Sequence, residues 1–398
     1  MRPRLFLVAG EPSGDRLGGA LIEGFAALGV VPELQGVGGS AMAAAGMASR
    51  FPMQELSVMG IAEVLPRLPN LLRRIRETAA AAVAMRPDAL VTIDSPDFSL
   101  RVARAARKAL PGLRTIHYVA PSVWAWRPGR AVRMAREIDH VLALLPFEPP
   151  YMEAAGMTCD FVGHPVVAEP QAGADEVAAL RAELAISPGQ PLLLLLPGSR
   201  RGEVTRLAPI FAEVARRLMA LRPELAVIVP AAPAVVGLLD ERMRADEAGW
   251  PHVLDPRGFD ASAWEARKRT AFAAADVALA ASGTVSLELA AAGTPMVIAY
   301  DANPLTVWVV RRLVRIDTAT LVNLVTETRA VPEFLGDCTA QAIVPAVEAL
   351  FADPGIAAAQ RAASARAMAL LGRGGEPPGV RAARSVLAHL PEARVRQN

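Results

Sequence analysis

The chain is poor in lysine, cysteine and aromatic residues, and it carries almost no net charge. Lys108 and Lys268 are the only lysines among 42 basic residues. Arginine supplies the rest, a skew that reads as the base composition of the gene and by itself locates no phosphate site. A net charge of +2 rules out a chain that binds polyanions over its whole surface, so no nucleic-acid partner is expected. Cys159 and Cys338 are the only cysteines. They fit no metal-ligand spacing and no disulfide framework, which points to a reducing compartment. The dinucleotide G-x-G-x-x-G turn and the P-loop are both missing, and no D-x-D metal motif stands beside a donor loop. The apolar run at 5–9 is too short for a signal-peptide core, and Gly10-Glu11 ends it. The apolar stretch 271–299 is long enough to suggest a membrane span, but Asp276, Gly283, Glu288, Gly293 and Pro295 interrupt it. It reads as a buried strand, a helix and a strand, so no segment is expected to cross a membrane.

A composition of 53% hydrophobic and 21% charged residues is that of a globular chain, and 398 residues are too many for one core. Short runs apolar on both faces occur at 5–9, 89–93, 115–119 and 141–145, and again at 192–196, 226–229, 277–280 and 296–299. Such runs fit central strands of parallel sheets. Helical stretches between them predict two doubly wound, Rossmann-like α/β domains. The pattern pauses at 163–176, where proline, glycine and polar residues suggest a linker. The domains are therefore placed at 1–166 and 167–377, leaving a Ala- and Arg-rich helical tail at 378–398. Two such domains predict a central cleft, with ligands outside the carboxyl ends of the strands.

Five stretches just after strands can carry chemistry. Gly10-Glu11-Pro12-Ser13-Gly14-Asp15 is either a plain strand-to-helix turn or a polar-ligand turn at a helix start. Ile93-Asp94-Ser95-Pro96-Asp97-Phe98 ends an apolar strand on an acid, where Asp94 can accept a proton from a hydroxyl. Asp97 there can equally serve the positive end of the next helix, and no third ligand completes a metal shell. Tyr118 to Arg127 contains Ser122, Trp124, Trp126 and Arg127; its aromatic faces suit a sugar or acyl group and its arginine a phosphate, or the loop simply caps the sheet. In Pro197-Gly198-Ser199-Arg200 the backbone can approach an anion closely while Ser199 and Arg200 donate to it. In Ala281-Ser282-Gly283-Thr284-Val285-Ser286-Leu287-Glu288 a helix start can hold a diphosphate with Glu288 on the ribose diol, or the serines and threonine merely cap the helix. Two such turns in one domain favour a nucleotide.

Together with Val58–Leu65, Leu145–Glu148 and Gly163–Pro165, these stretches run in an order that resembles the lipid-A-disaccharide synthases, glycosyltransferases of the two-domain GT-B type. The resemblance implies that the second domain binds a UDP-sugar donor and the first a lipid acceptor. It implies joining of UDP-2,3-diacylglucosamine to 2,3-diacylglucosamine 1-phosphate by a β-1,6 bond, with inversion and release of UDP. Asp94 is then the general base, Arg200 the phosphate-binding arginine, and Asn323 a substrate-binding residue. The family usually has Leu-Pro-Asn at that last place, whereas this chain has Leu321-Val322-Asn323. No cofactor and no metal are expected, and the GT-B resemblance suggests that the C-terminal helix returns to the first domain. Other readings are a different GT-B UDP-sugar enzyme, such as an epimerase, and a non-catalytic nucleotide-binding protein.

Acylated substrates require a membrane surface. A cytoplasmic enzyme, peripheral on an anionic inner membrane, is expected, and a homodimer stays open. The stretches 61–76 and 308–315 mix apolar residues with arginines, including Arg73, Arg74, Arg311 and Arg312. Each suits an interfacial helix or a core helix with a solvated rim.

Overall fold

The computed structural model describes residues 2–56, 61–243, 251–301, 317–336 and 338–391, without the side chains of 61–67. The stretch 308–315 therefore lies outside the described residues. The chain forms two units, Met1–Ala168 with the chain from Leu371 onward, and Glu169–Leu370.

The first unit is built on six parallel strands in the order β2-β1-β3-β4-β5-β6. They are β1 Arg4–Ala9, β2 Glu33–Val37, β3 Ala89–Ile93, β4 Thr115–Tyr118, β5 His140–Ala143 and β6 Thr158–Phe161. β3, β4 and β5 are buried throughout. Alternation along each strand divides its side chains between the two faces. Phe6, Val8 and Leu90 join the core on one face, and Leu5, Leu7, Val91 and Ile93 the core on the other. The helix Pro378–Ala388 lies on the second face, against the helix Pro12–Ala27. The backbones approach so closely that a Cβ on Gly24 would sit 2.2 Å from the Gly379 oxygen. Side chains secure the same helix to the sheet. The His140 Nε2 is 2.9 Å from Ser385 Oγ, and Ser385 donates to Asp160 at 2.6 Å.

The second unit has six parallel strands in the order β12-β11-β10-β7-β8-β9. They are β7 Leu192–Leu196, β8 Ala226–Pro230, β9 His252–Leu254, β10 Val277–Ala281, β11 Met296–Tyr300 and β12 Glu333–Leu335. β7 is five consecutive leucines, all buried. Leucine has no strong strand preference of its own, so burial between helices on both faces sets the conformation. The helices Arg201–Leu221 and Ala340–Ala352 cover one face with Phe211, Val214, Ile343 and Val347.

Both sheets are doubly wound α/β sheets of the kind found in GT-B proteins, and each has a switch point where successive connections leave in opposite directions. In the first unit it lies between β1 and β3, paired through Ala9 and Ile93. In the second it lies between β7 and β10, paired through Leu196 and Ala280. Ligands of open α/β sheets bind at such points. Among the described residues no single helix is long and apolar enough to cross a membrane.

Candidate active site

At the first switch point the chain leaves β1 and β3 so that Ser13 and Asp94 meet. The Ser13 hydroxyl donates to Asp94 Oδ2 at 2.9 Å. Asp94 Oδ1 accepts from the Ser95 N–H at 2.8 Å. Asp94 and Ser95 have φ values of 54° and 46°, a left-handed pair without glycine that costs roughly 1–3 kcal/mol per residue. The surroundings enforce it. Asp94 N donates to Tyr118 O at 2.9 Å, and the Ser99 hydroxyl donates to Asp94 O at 2.8 Å. The result aims the carboxylate into a cavity of about 190 Å3 whose walls include His117, Ser122 and Arg130. Burial lowers the His117 pKa to about 4, although the Asp94 carboxylate pulls it the other way. The imidazole is therefore neutral near pH 7, with Nδ1 2.8 Å from the Thr92 hydroxyl.

Neighbouring candidates are used by the fold. Asp15 is 4% exposed and accepts N–H bonds from Gly39, Ala41 and Met42 at 2.6, 2.9 and 3.1 Å. It caps the short helix Ser40–Ala44, and those bonds leave it little capacity for a substrate. Gly14 lets its helix pass close to β3, since a Cβ there would lie 3.0 Å from Ile93 O. Asp97 is exposed in the first turn of the helix Pro96–Ala109, where it faces the positive helix end. Trp124 is half-buried and donates to Glu148 at 3.3 Å, while its ring meets Phe147 edge-on at 5.2 Å. Trp126 is exposed, with the Arg127 guanidinium 4.3 Å above its ring.

The second switch point opens a cavity of about 520 Å3. Seven of the eight nucleotide-binding candidates line it: Gly198, Ser199 and Arg200 after β7, and Ser282, Gly283, Thr284 and Glu288 after β10. Ser286 does not; it is fully buried, and its hydroxyl donates to Gly283 O at 3.0 Å. The backbone N–H groups of Ser199 and Arg200 are already engaged. Both donate to Glu203 Oε2, at 3.2 and 3.3 Å, while the Arg200 guanidinium pairs with Oε1 at 3.1 Å. Gly198 makes room for this arrangement, with φ 116° and an added Cβ only 2.6 Å from that of Glu203. The cavity is also lined by Lys268, whose Nζ lies 2.8 Å from Glu265 and 2.9 Å from Glu288. No motif marked Lys268, and the rarity of lysine was its only available signal.

Asn323 lies in the second unit, wholly buried. Its amide donates to Val331 O at 2.9 Å and accepts from Val331 N at 3.0 Å. It closes the turn after the helix Leu321–Thr326, with its side-chain amide engaged inside the fold. In the helix Ile61–Met85, Arg74 is likewise structural, bonded to Glu55 and Glu77 over the Phe51 ring. Leu72, Arg73 and Arg76 are exposed.

The family described as lipid-A-disaccharide synthetase matches residues 5–371. The chain belongs to the lipid-A-disaccharide synthase family. A lipid-A-disaccharide synthase of Ruegeria pomeroyi is 60% identical over 98% of this chain and 96% of its own. One of Rhodospirillum centenum is 46% identical over 97% and 95%. As a member of the family, the chain is a glycosyltransferase of lipid A biosynthesis. Among solved structures, the UDP-GlcNAc 2-epimerase of Neisseria meningitidis bound to UDP-GlcNAc aligns at a TM-score of 0.63 with 11% identity, covering 98% of this chain and 99% of that one. A glycosyltransferase of Rickettsia africae aligns at 0.58 with 11% identity, covering 97% of each. These two share the fold.

Proposed function

We propose that the second unit holds a UDP-sugar donor in the 520 Å3 cavity and that Asp94 in the first unit is the general base. The reading is carried by the convergence of seven sequence candidates on that one cavity at the switch point. The diphosphate lies at the start of the helix Val285–Ala292, where the N–H groups of 283–285 bond to no described residue, and Arg200 turns from Glu203 toward it. The donor is UDP-2,3-diacylglucosamine and the acceptor 2,3-diacylglucosamine 1-phosphate. The acceptor 6-oxygen attacks the anomeric carbon as its proton passes to Asp94. The bond to the diphosphate breaks, and UDP leaves with the electron pair, so the anomeric centre inverts. Ser13 holds the carboxylate in place. General-base assistance of this kind is worth roughly 10²–10⁴ in rate, and charge stabilisation by preorganised donors adds to it.

The acyl chains stay in an anionic inner membrane, which the enzyme meets from the cytoplasm through Leu72, Arg73 and Arg76 and through Trp126 with Arg127. A homodimer fits this scheme equally well.

The test is UDP release from UDP-2,3-diacylglucosamine with and without the acceptor, in detergent with excess chelator, for the wild type and Asp94→Asn. Acceptor-dependent release is expected for the wild type. The variant should bind UDP normally and turn over roughly 10²–10⁴ times more slowly. Full turnover by Asp94→Asn removes the base assignment.

A further inference from the structure

The cavity of the second unit contains an ion triad of which the sequence motifs include only Glu288. Lys268 stands on the helix Ala261–Ala274 and reaches Glu288 on the helix Val285–Ala292 at 2.9 Å. It also holds Glu265, one turn before it on its own helix, at 2.8 Å. Its ammonium lies 5.7 Å from the centre of the Phe272 ring, and Phe272 lines the same cavity. The chain uses arginine for nearly all its cations, yet here it uses one of its two lysines. An ammonium is a compact charge whose three donors can be shared between two carboxylates.

Three physical consequences follow. Without Lys268, Glu265 and Glu288 would face the same cavity with no cation between them and repel an anionic ligand. With it, the Glu288 Oε2 is fixed, while Oε1 accepts from no described residue. The cavity thereby acquires a polarity, with N–H donors and Arg200 at one end and a carboxylate acceptor one helical turn further on. A nucleoside diphosphate has the matching polarity, with acceptor oxygens on its phosphates and donor hydroxyls on its ribose.

We propose that Lys268 is a positioning residue for nucleotide recognition, holding Glu288 so that its free oxygen accepts from the ribose diol. The inference rests on the reading of this cavity as the donor site. Burial works against the charge on Lys268, but Glu288 and Glu265 outweigh it and hold its pKa above the ordinary value. The side chain is thus a fixed cation throughout the working pH range.

The test compares binding of UDP and 2′-deoxy-UDP to the full chain by calorimetry. The wild type should prefer UDP by roughly tenfold, the order expected for one charge-assisted hydrogen bond. In Lys268→Met the preference should collapse toward one, as it should in Glu288→Gln, while Glu265→Gln keeps it. Thermal melts establish that each variant is folded, and Lys268→Gln takes the place of Lys268→Met if the latter is not. A folded Lys268 variant with the wild-type preference overturns the inference while leaving the donor site standing. Wild-type binding of UDP without any preference removes Glu288 from the ribose and the inference with it. No binding of either nucleotide overturns the donor-site reading itself.

Discussion

Replacing Gly198 with alanine separates the architecture of the loop after β7 from ordinary turn strain. Gly198 has φ 116°, and a Cβ there would lie 2.6 Å from Glu203 Cβ and 2.7 Å from its Oε2. Gly189 in the same unit has φ 78° with nothing within 4 Å of an added Cβ. Gly189→Ala therefore costs only the left-handed backbone penalty, about 1–2 kcal/mol. Gly198→Ala incurs a backbone cost of about 1–3 kcal/mol. It must also push away Glu203, which accepts from the Ser199 and Arg200 N–H groups and pairs with the Arg200 guanidinium. Losing those bonds in an exposed loop adds about 1–2 kcal/mol. Gly198→Ala should thus destabilise the unit by about 2 kcal/mol more than Gly189→Ala, or about 4–8 °C in melting temperature for a unit of this size. Calorimetric melts read the difference, and UDP titration reads the site. Gly189→Ala should bind UDP as the wild type does, and Gly198→Ala several-fold more weakly. Equal melting of the two variants with unchanged UDP affinity would refute the steric argument and the role of the loop together.

Glu148 provides a pH test. Burial raises its pKa to about 7 from 4.5, against the lowering effect of the N–H groups of Leu145, Trp124 and Leu144. The folded value is above the unfolded one, so its contribution is full below pH 4.5 and is lost as pH rises through about 7. That amounts to about 1 kcal/mol of stability lost between pH 6 and 8, and Glu148→Gln should remove this component from melts at the two pH values. An undiminished component assigns the titration elsewhere. Asn323→Ala strips the Val331 N–H and C=O of their buried partners and should cost about 2–4 kcal/mol. Its UDP affinity per folded molecule should stay at the wild-type level; a specific loss of affinity would return Asn323 to the substrate site.

The eight strands legible in the sequence are the eight inner strands, and the four missed are the four sheet edges. β2, β6, β9 and β12 each end a sheet, and each is partly exposed. An inner parallel strand is covered on both faces and reads as an unbroken apolar run. An edge strand such as Thr158–Phe161 or Glu333–Leu335 keeps polar residues and is too short to show alternation. Its conformation comes from the neighbour it pairs with, which no local window contains.

The same physics divides the site. Asp15 and Asp94 look alike in the sequence, each an acid shortly after an apolar strand. Asp15 is enclosed by three N–H groups from a loop some 25 residues further on, whereas Asp94 keeps one oxygen on its own neighbour and one on Ser13. Cavity-lining residues where a strand hands over to a helix each lie in a contiguous stretch, so Gly198, Ser199, Arg200 and Thr284 could be picked out by position alone. Lys268 reaches the cavity from the middle of a helix, and the partner that gives it meaning stands on another helix. Glu203 stands in the first turn of its helix, but that it occupies the N–H groups of Ser199 and Arg200 follows only from the turn at Gly198. Strand ends therefore announce where a ligand can bind, while a charged side chain such as Lys268 enters the cavity from a helix face whose register the sheet order must first set.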